Sequence, residues 1–297
     1  MWIGQISPQA KGTFFLVGAL MTIGLVTGLV WAASEGSSHH TDVVTPHGQT
    51  DWTAGTVTAR GVGIPPKNPA SALQAKEMAR TAAWSVALRN LLEVVKGVYV
   101  DSTTTVSNYV TTNDEVRTKV EGYVKGARIV KEQEMPDGSF ETTVEMKLTG
   151  DFSGLLLPRP QPKTEPLPQY KRPTADTRTP KTYSGLVVDA RGTGAHPALA
   201  PKIFNEQGQE AYSVAYVEGR ELAEQGIAVY VPDPSNARSH PRVTSTPLTV
   251  KALRSEGKQH TDLVISDADA QLIHGVPEHF KFLQQAKVLV ILDPKEY

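Results

Sequence analysis

Proline recurs throughout the stretch from Pro158 to Thr182, which reads PRPQPKTEPLPQYKRPTADTRTPKT. Each proline lacks a backbone N–H and its ring clashes with the preceding helical turn, so neither a helix nor a central strand can continue through this stretch. Such composition is typical of an extended, semi-rigid spacer. The sequence therefore predicts a linker over residues 158–182 and two folding units, residues 52–157 and 183–297.

A second feature is an uncharged segment from Gly12 to Ser34, which follows a single lysine. A bilayer core of about 30 Å needs roughly 20 helical residues, so this segment is long enough to span a membrane. Val30 and Ala32 equally fit the small-residue positions before a signal cleavage point. Residues 1–33 are therefore either a signal peptide or a transmembrane anchor. Positive charge precedes the segment in both cases, which predicts export of the rest across the inner membrane into the periplasm.

Composition excludes several classes of function. The 30 basic and 31 acidic residues are interspersed and give a net charge of -1, which argues against nucleic-acid binding. The sequence contains no cysteine, which excludes thiolate nucleophiles, cysteine-ligated zinc, iron–sulfur clusters and disulfides. A lipid-carrying cysteine is excluded with them.

The first unit has clear local signals. Residues 34–51 are polar and show no helix or strand period, so they predict a flexible tether. A strand follows from Trp52, and a long helix is expected to begin with Asn68 as its cap and to end at Gly97. The unit continues with a strand at VYVDSTTTVSN and a weaker helix near residues 114–123. It ends with a hairpin that has Asp-Gly in its turn.

The long helix carries an alanine-rich apolar stripe. Small side chains let a helix lie close to a sheet, so the stripe predicts close packing on the strands rather than a ligand site. The predicted stripe consists of Ala72, Ala75, Ala79, Ala82, Val86 and Leu91.

The second unit alternates strand and helix patterns. A hairpin is expected around residues 206–208, a short helix ends at Gly226, and Ser266 with Asp269 forms a candidate capping box. Five apolar runs predict strands: GLVVDAR, IAVYV, PLTVKALRS, DLVIS and KVLVILD. The predicted fold is α+β, with two small α/β-type domains joined by the proline-rich linker after an N-terminal signal or membrane-anchor helix.

Three acids follow predicted strands, namely Asp189, Asp267 and Asp293. Carboxylates gathered at the carboxyl edge of a sheet could hold Mg²⁺, which makes a metal-dependent hydrolase one alternative for the function. Aspartate also caps helices and begins turns, and this second interpretation is favoured here. The loop after Asp189, with Arg191, lacks the glycine spacing of a dinucleotide-binding loop.

The eight histidines show no ligand pattern. His39, His40 and His47 lie in the predicted tether, and the spacing of His274 and His279 fits one helical face poorly. Solvated or core-edge histidines are expected at these positions. No Gly-x-Ser-x-Gly turn marks a nucleophile. We therefore predict no catalytic, cofactor-binding or metal-binding residues, and no cofactor.

The first unit resembles the small outer-membrane lipoprotein superfamily that includes the N-terminal domain of the flagellar T-ring protein FlgT. The resemblance rests on ARGVGIPP, on ALQAKEMARTAAWSVALRNLLEVVKGVYVDSTTTV and on VEGYVKGARIVKEQEMPDGSFETTVEMKL. It covers about a third of the chain. It implies a role in envelope assembly, with no catalytic residues to carry over, and this sequence departs from it by having no lipid-anchoring cysteine.

These observations together favour a non-enzymatic structural or assembly protein of the periplasm, with the flagellar basal body as one candidate machine. The expected partners are envelope proteins, the inner membrane if residues 1–33 are retained, and a second copy of the chain as a further option. Nucleic acid is not expected. A peptidoglycan- or lipid-binding protein is the other alternative.

Overall fold

A computed structural model describes residues 39–157 and 182–295, which we call the first and second lobes. The predicted signal or anchor over residues 1–33 and nearly all of the predicted linker lie outside the described residues. Within the two lobes, no helix is both long enough and apolar enough to cross a membrane. Both lobes belong to one compact unit.

The first lobe is an antiparallel sheet with helices. Its strands, in the order β1-β2-β3-β5-β4, are β1 (Thr41–Thr45), β2 (Gly48–Asp51), β3 (Thr56–Gly63), β4 (Arg128–Glu134) and β5 (Phe140–Lys147). Its helices are α1 (Ala72–Lys96), α2 (Val106–Thr112), α3 (Asp114–Lys125) and α4 (Asp151–Leu156). The predicted hairpin with Asp-Gly in its turn is confirmed as β4 and β5.

Helix α1 lies unusually close to strand β3. A Cβ atom built on Gly61 would stand 2.2 Å from the backbone nitrogen of Ala87, and one on Gly63 would stand 2.0 Å from the carbonyl oxygen of Ala79. Only glycine therefore fits at these two positions of the strand. The predicted close packing is confirmed. Of the predicted stripe only Ala79 and Leu91 are buried, and Ala83 and Ala87 are the other buried alanines of the helix.

Three predictions for the first lobe are wrong in detail. Residues 41–51 form the hairpin β1–β2 instead of a tether, because Thr50 is buried and the strand β2 pairs with β3. Helix α1 is capped by Ser71, whose side chain accepts the backbone N–H of Gln74, and not by Asn68. The expected strand after Gly97 is reduced to one bridge between Tyr99 and Thr105.

The second lobe is a mixed sheet with short helices. Its strands, in the order β8-β7-β11-β10-β6-β12-β9, are β6 (Leu186–Asp189), β7 (Ile203–Phe204), β8 (Glu210–Tyr212), β9 (Val229–Val231), β10 (Leu248–Glu256), β11 (Asp262–Ile265) and β12 (Val288–Ile291). Its helices are α5 (Gly219–Gln225), α6 (Pro234–Ser239), α7 (Asp267–His274) and α8 (Pro277–Gln284), with a 3-10 turn over Val214–Tyr216.

The directions of these strands decide where their ends lie. Strands β9, β12, β6 and β10 are parallel to one another, whereas β11 runs antiparallel to β10. The five predicted strands, the hairpin β7–β8 and the helix ending at Gly226 are all present. Helices α6 and α8 were not predicted. The predicted α+β fold with two domains is confirmed.

The two lobes share one hydrophobic core. A single cluster of buried side chains includes Trp52 and Leu148 from the first lobe and Tyr230 from the second. The rings of Trp52 and Tyr230 meet edge to face at 5.7 Å, and the Thr53 hydroxyl donates to the Tyr230 carbonyl at 2.6 Å. Backbone hydrogen bonds also join residues 99–100 to residues 199–200. The lobes are therefore held together by burial and by hydrogen bonds.

This shared core predicts the behaviour of a nicked chain. If a protease site is inserted within residues 158–181 and cut, we expect both fragments to elute together in size-exclusion chromatography, because separation would expose apolar surface to water. In concentrated urea the same cut sample should give separate fragments. Two separate peaks in native buffer would show that the lobes are independent domains.

Candidate functional site

The loop that follows β6 is closed by its own charged groups. The Arg191 guanidinium donates to both carboxylate oxygens of Asp189, at 2.8 and 2.6 Å. This hydrogen-bonded ion pair holds the pKa of Asp189 below its ordinary value. The Asp293 carboxylate accepts the backbone N–H of Gly192 at 2.9 Å. Both acids therefore fix the shape of the loop.

Asp267, the third acid, lies elsewhere on the sheet. It begins α7 after β11, and β11 runs opposite to β6 with β10 between them. Its carboxylate accepts a hydrogen bond from the Gln207 side chain at 2.9 Å. Throughout residues 39–157 and 182–295, no group of three or more histidine, aspartate or glutamate side chains is placed to hold a metal ion. The hypothesis of a site shared by Asp189, Asp267 and Asp293 is wrong.

The histidines are more buried than expected. His274 donates from Nε2 to the Ala211 carbonyl at 2.9 Å, and the fully buried His279 donates from Nδ1 to the Leu272 carbonyl at 3.0 Å. His40 is 2% exposed and lies 3.8 Å from the carboxylate of Asp42. The prediction of solvated or core-edge histidines is wrong for these three. Their burial comes from tertiary packing, for which the local sequence gives no signal.

Buried histidines should make the protein sensitive to mild acid. Burial lowers the pKa of His40, His196, His240 and His274. The unfolded chain then binds more protons than the folded one at pH values below about 6.5, so the free energy of unfolding falls as the pH drops through that value. We expect lower urea midpoints at pH 5.5 than at pH 7.5.

The variant His40→Gln tests the cause of this acid sensitivity. It should show a smaller difference between the two midpoints than the parent protein, because one titrating group is removed. His47→Gln is the matched control, since His47 is not among the buried histidines. Equal midpoints of the parent protein at the two pH values would contradict the prediction.

Arg242 is a buried cation that sequence reasoning missed. Its guanidinium, in a residue 9% exposed, donates to the carbonyls of Gln225, Gly226 and Ala286 at 2.9, 2.8 and 2.6 Å. These carbonyls lie at or just after the C-terminal ends of α5 and α8, where the helix dipole favours a positive charge. A lone arginine between a proline and a valine carries no sequence signal for this role.

One end of the first lobe exposes large apolar side chains. Ile64 is 76% exposed and Leu73 is 69% exposed, and Met78 and Met135 are also exposed. Gly63 and Glu134 both pair with Phe140, which places Ile64 and Met135 at the same end of the sheet. The approach of Ala79 to Gly63 places the first turns of α1 beyond that end. We call these four residues the apolar end.

The protein thus has an α+β fold with two lobes, and the first lobe exposes the apolar end to solvent. Comparison with known families divides the chain at the same place. Residues 57–147 match the LPP20 lipoprotein family, and residues 185–294 match the family defined by the second domain of Treponema pallidum Tp0624. No curated protein sequence matches the chain. The prediction of a domain of the small outer-membrane lipoprotein type is confirmed, and the narrower likeness to FlgT stays a prediction.

Proposed function

We propose that this protein is a non-enzymatic component of the bacterial cell envelope that contributes protein-binding surfaces to an assembly in the periplasm. The observation that carries the proposal is the match of residues 57–147 to a lipoprotein family. The uncharged segment from Gly12 to Ser34, preceded by a lysine, supports export of the body of the protein.

The apolar end supports a role in binding another protein. Large side chains such as Ile64 and Leu73 gain free energy when a partner removes them from water. Exposed apolar patches on soluble proteins often mark interaction sites. The shared core of the two lobes would hold this end in a fixed orientation, as a structural component of an assembly requires.

Residues 1–33 determine whether the protein is anchored in the inner membrane. We propose retention as an inner-membrane anchor, because the uncharged segment is about as long as a spanning helix and Trp31 suits an interfacial position. N-terminal sequencing of the protein from membranes and from periplasmic extract tests this proposal. A start at Ala33 in the soluble extract would replace the anchor with a cleaved signal peptide.

The flagellar basal body is the candidate machine that follows from the resemblance to FlgT. The test is deletion of the gene followed by electron cryotomography of the envelope and by a motility assay. Under this proposal basal bodies are incomplete or lost, and a plasmid copy of the gene restores them. Normal flagella in the deletion strain would exclude this machine, and altered envelope structures elsewhere would identify another.

A further inference from the structure

A cavity of about 220 Å³ lies between the two lobes. The first lobe contributes Trp52, Thr149 and Ser153 to its wall, and the second lobe contributes Ile227 and Arg242. A core cavity of about 150 Å³ is large enough to admit benzene. This cavity therefore has room for a ligand of several non-hydrogen atoms.

The guanidinium of Arg242 lies beside this cavity. Two of the carbonyls that it contacts belong to Gln225 and Gly226, and both residues line the cavity. A guanidinium has five N–H donors, and Arg242 uses three of them. The remaining two have no acceptor among the residues that the structure describes. A ligand that binds Arg242 would accept hydrogen bonds from these two donors.

The charge of Arg242 also has no ion-pair partner among the described residues, although the charge of Glu221 acts on it from nearby. In the described parts of the chain no acid forms an ion pair with it, and the nearby Glu221 is engaged by Arg220 at 3.1 Å and by Gln225 at 2.5 Å. Burial of a cation without an ion-pair partner is unfavourable, and backbone carbonyls together with an acid that is bonded elsewhere offset it only in part. An anion in the cavity would complete the compensation.

We propose that this cavity binds a small monocarboxylate with a short apolar body. The planar fork of an arginine matches the two oxygens of a carboxylate, and Trp52 with Ile227 provides an apolar wall for the rest of the ligand. Glu224, an exposed acid of the same wall, repels negative charge on the ligand, so a monoanion is favoured over a dianion. The ligand would contact both lobes at once.

The test is a titration of the purified full chain with butyrate and with its neutral amide, butyramide. The indole N–H resonance of Trp52 in the NMR spectrum reports on the cavity, and a Trp52→Phe variant assigns it. We expect a saturable shift with butyrate and binding about tenfold weaker, or weaker still, with butyramide. Equal binding of the two compounds, or no saturable shift with butyrate, would overturn the proposal.

Two variants of Thr149 locate the site without changing Arg242. The Thr149 methyl lies 3.4 Å from the position of a Cβ on Gly55 and 3.7 Å from that of one on Gly226. Thr149→Leu should fill the cavity and weaken butyrate binding by at least about tenfold, whereas the isosteric Thr149→Val should bind butyrate as the parent does. Unchanged binding by a folded Thr149→Leu protein would show that butyrate binds elsewhere and would overturn the proposal.

Discussion

Replacement of Gly61 by valine is expected to lower the free energy of unfolding by about 3 kcal/mol. The first added carbon would lie 2.2 Å from the Ala87 nitrogen and 2.4 Å from the Ala83 carbonyl oxygen, and both are backbone atoms of α1. No side-chain rotation relieves such a contact, so the helix must move away from the sheet. Urea unfolding followed by circular dichroism measures the loss.

Gly122→Ala is the matched control for this prediction. Gly122 lies inside α3, and an added Cβ there would meet no atom within 4 Å. Alanine favours a helix interior over glycine by about 1 kcal/mol, so this variant should be slightly more stable than the parent. A Gly61→Val protein as stable as the parent would show that α1 does not pack on β3 at the described distance.

Arg242→Met is expected to cost about 3 kcal/mol of stability. Methionine fills much of the side-chain volume but leaves the carbonyls of Gln225, Gly226 and Ala286 without their donor. An unsatisfied buried acceptor loses its hydration without gaining a hydrogen bond. The same urea titration measures the effect.

Arg242→Lys separates the charge from the geometry. Lysine keeps the positive charge but offers its donors from one nitrogen, which cannot reproduce the planar fork over three carbonyls. It should recover only part of the stability lost in Arg242→Met. Full recovery would mean that charge near the ends of α5 and α8 is sufficient, and equal stability of Arg242→Met and the parent would contradict the described hydrogen bonds.

Local patterns in the sequence predict much of this fold. The Asp-Gly turn between β4 and β5 and the glycine after α5 are short-range signals, and the structure contains both. The predicted cap of α1, Asn68, lies three residues before the observed cap, Ser71, and both residue types are good helix caps. Sequence alone does not decide between two such neighbours.

Features that depend on tertiary contacts were not predictable. The hairpin β1–β2 consists mostly of polar residues, and the burial of Thr50 arises from the place of the hairpin in the sheet. The direction of β11 separates Asp267 from Asp189, and strand direction leaves no mark in the sequence of a strand of four residues. Arg242 is held by hydrogen bonds to the carbonyls of Gln225, Gly226 and Ala286, which are distant from it in sequence. No local pattern indicates these contacts.

Site-specific photo-crosslinking in intact cells tests most directly whether the apolar end binds an envelope protein. A photoreactive amino acid is placed at Ile64, with Leu253 as the control, because Leu253 is a 50% exposed apolar residue on the second lobe. We predict a discrete adduct from Ile64 that mass spectrometry identifies as an envelope protein, and no such adduct from Leu253. No adduct from Ile64 above the level at Leu253, or an adduct with a cytoplasmic protein, would contradict the proposed function.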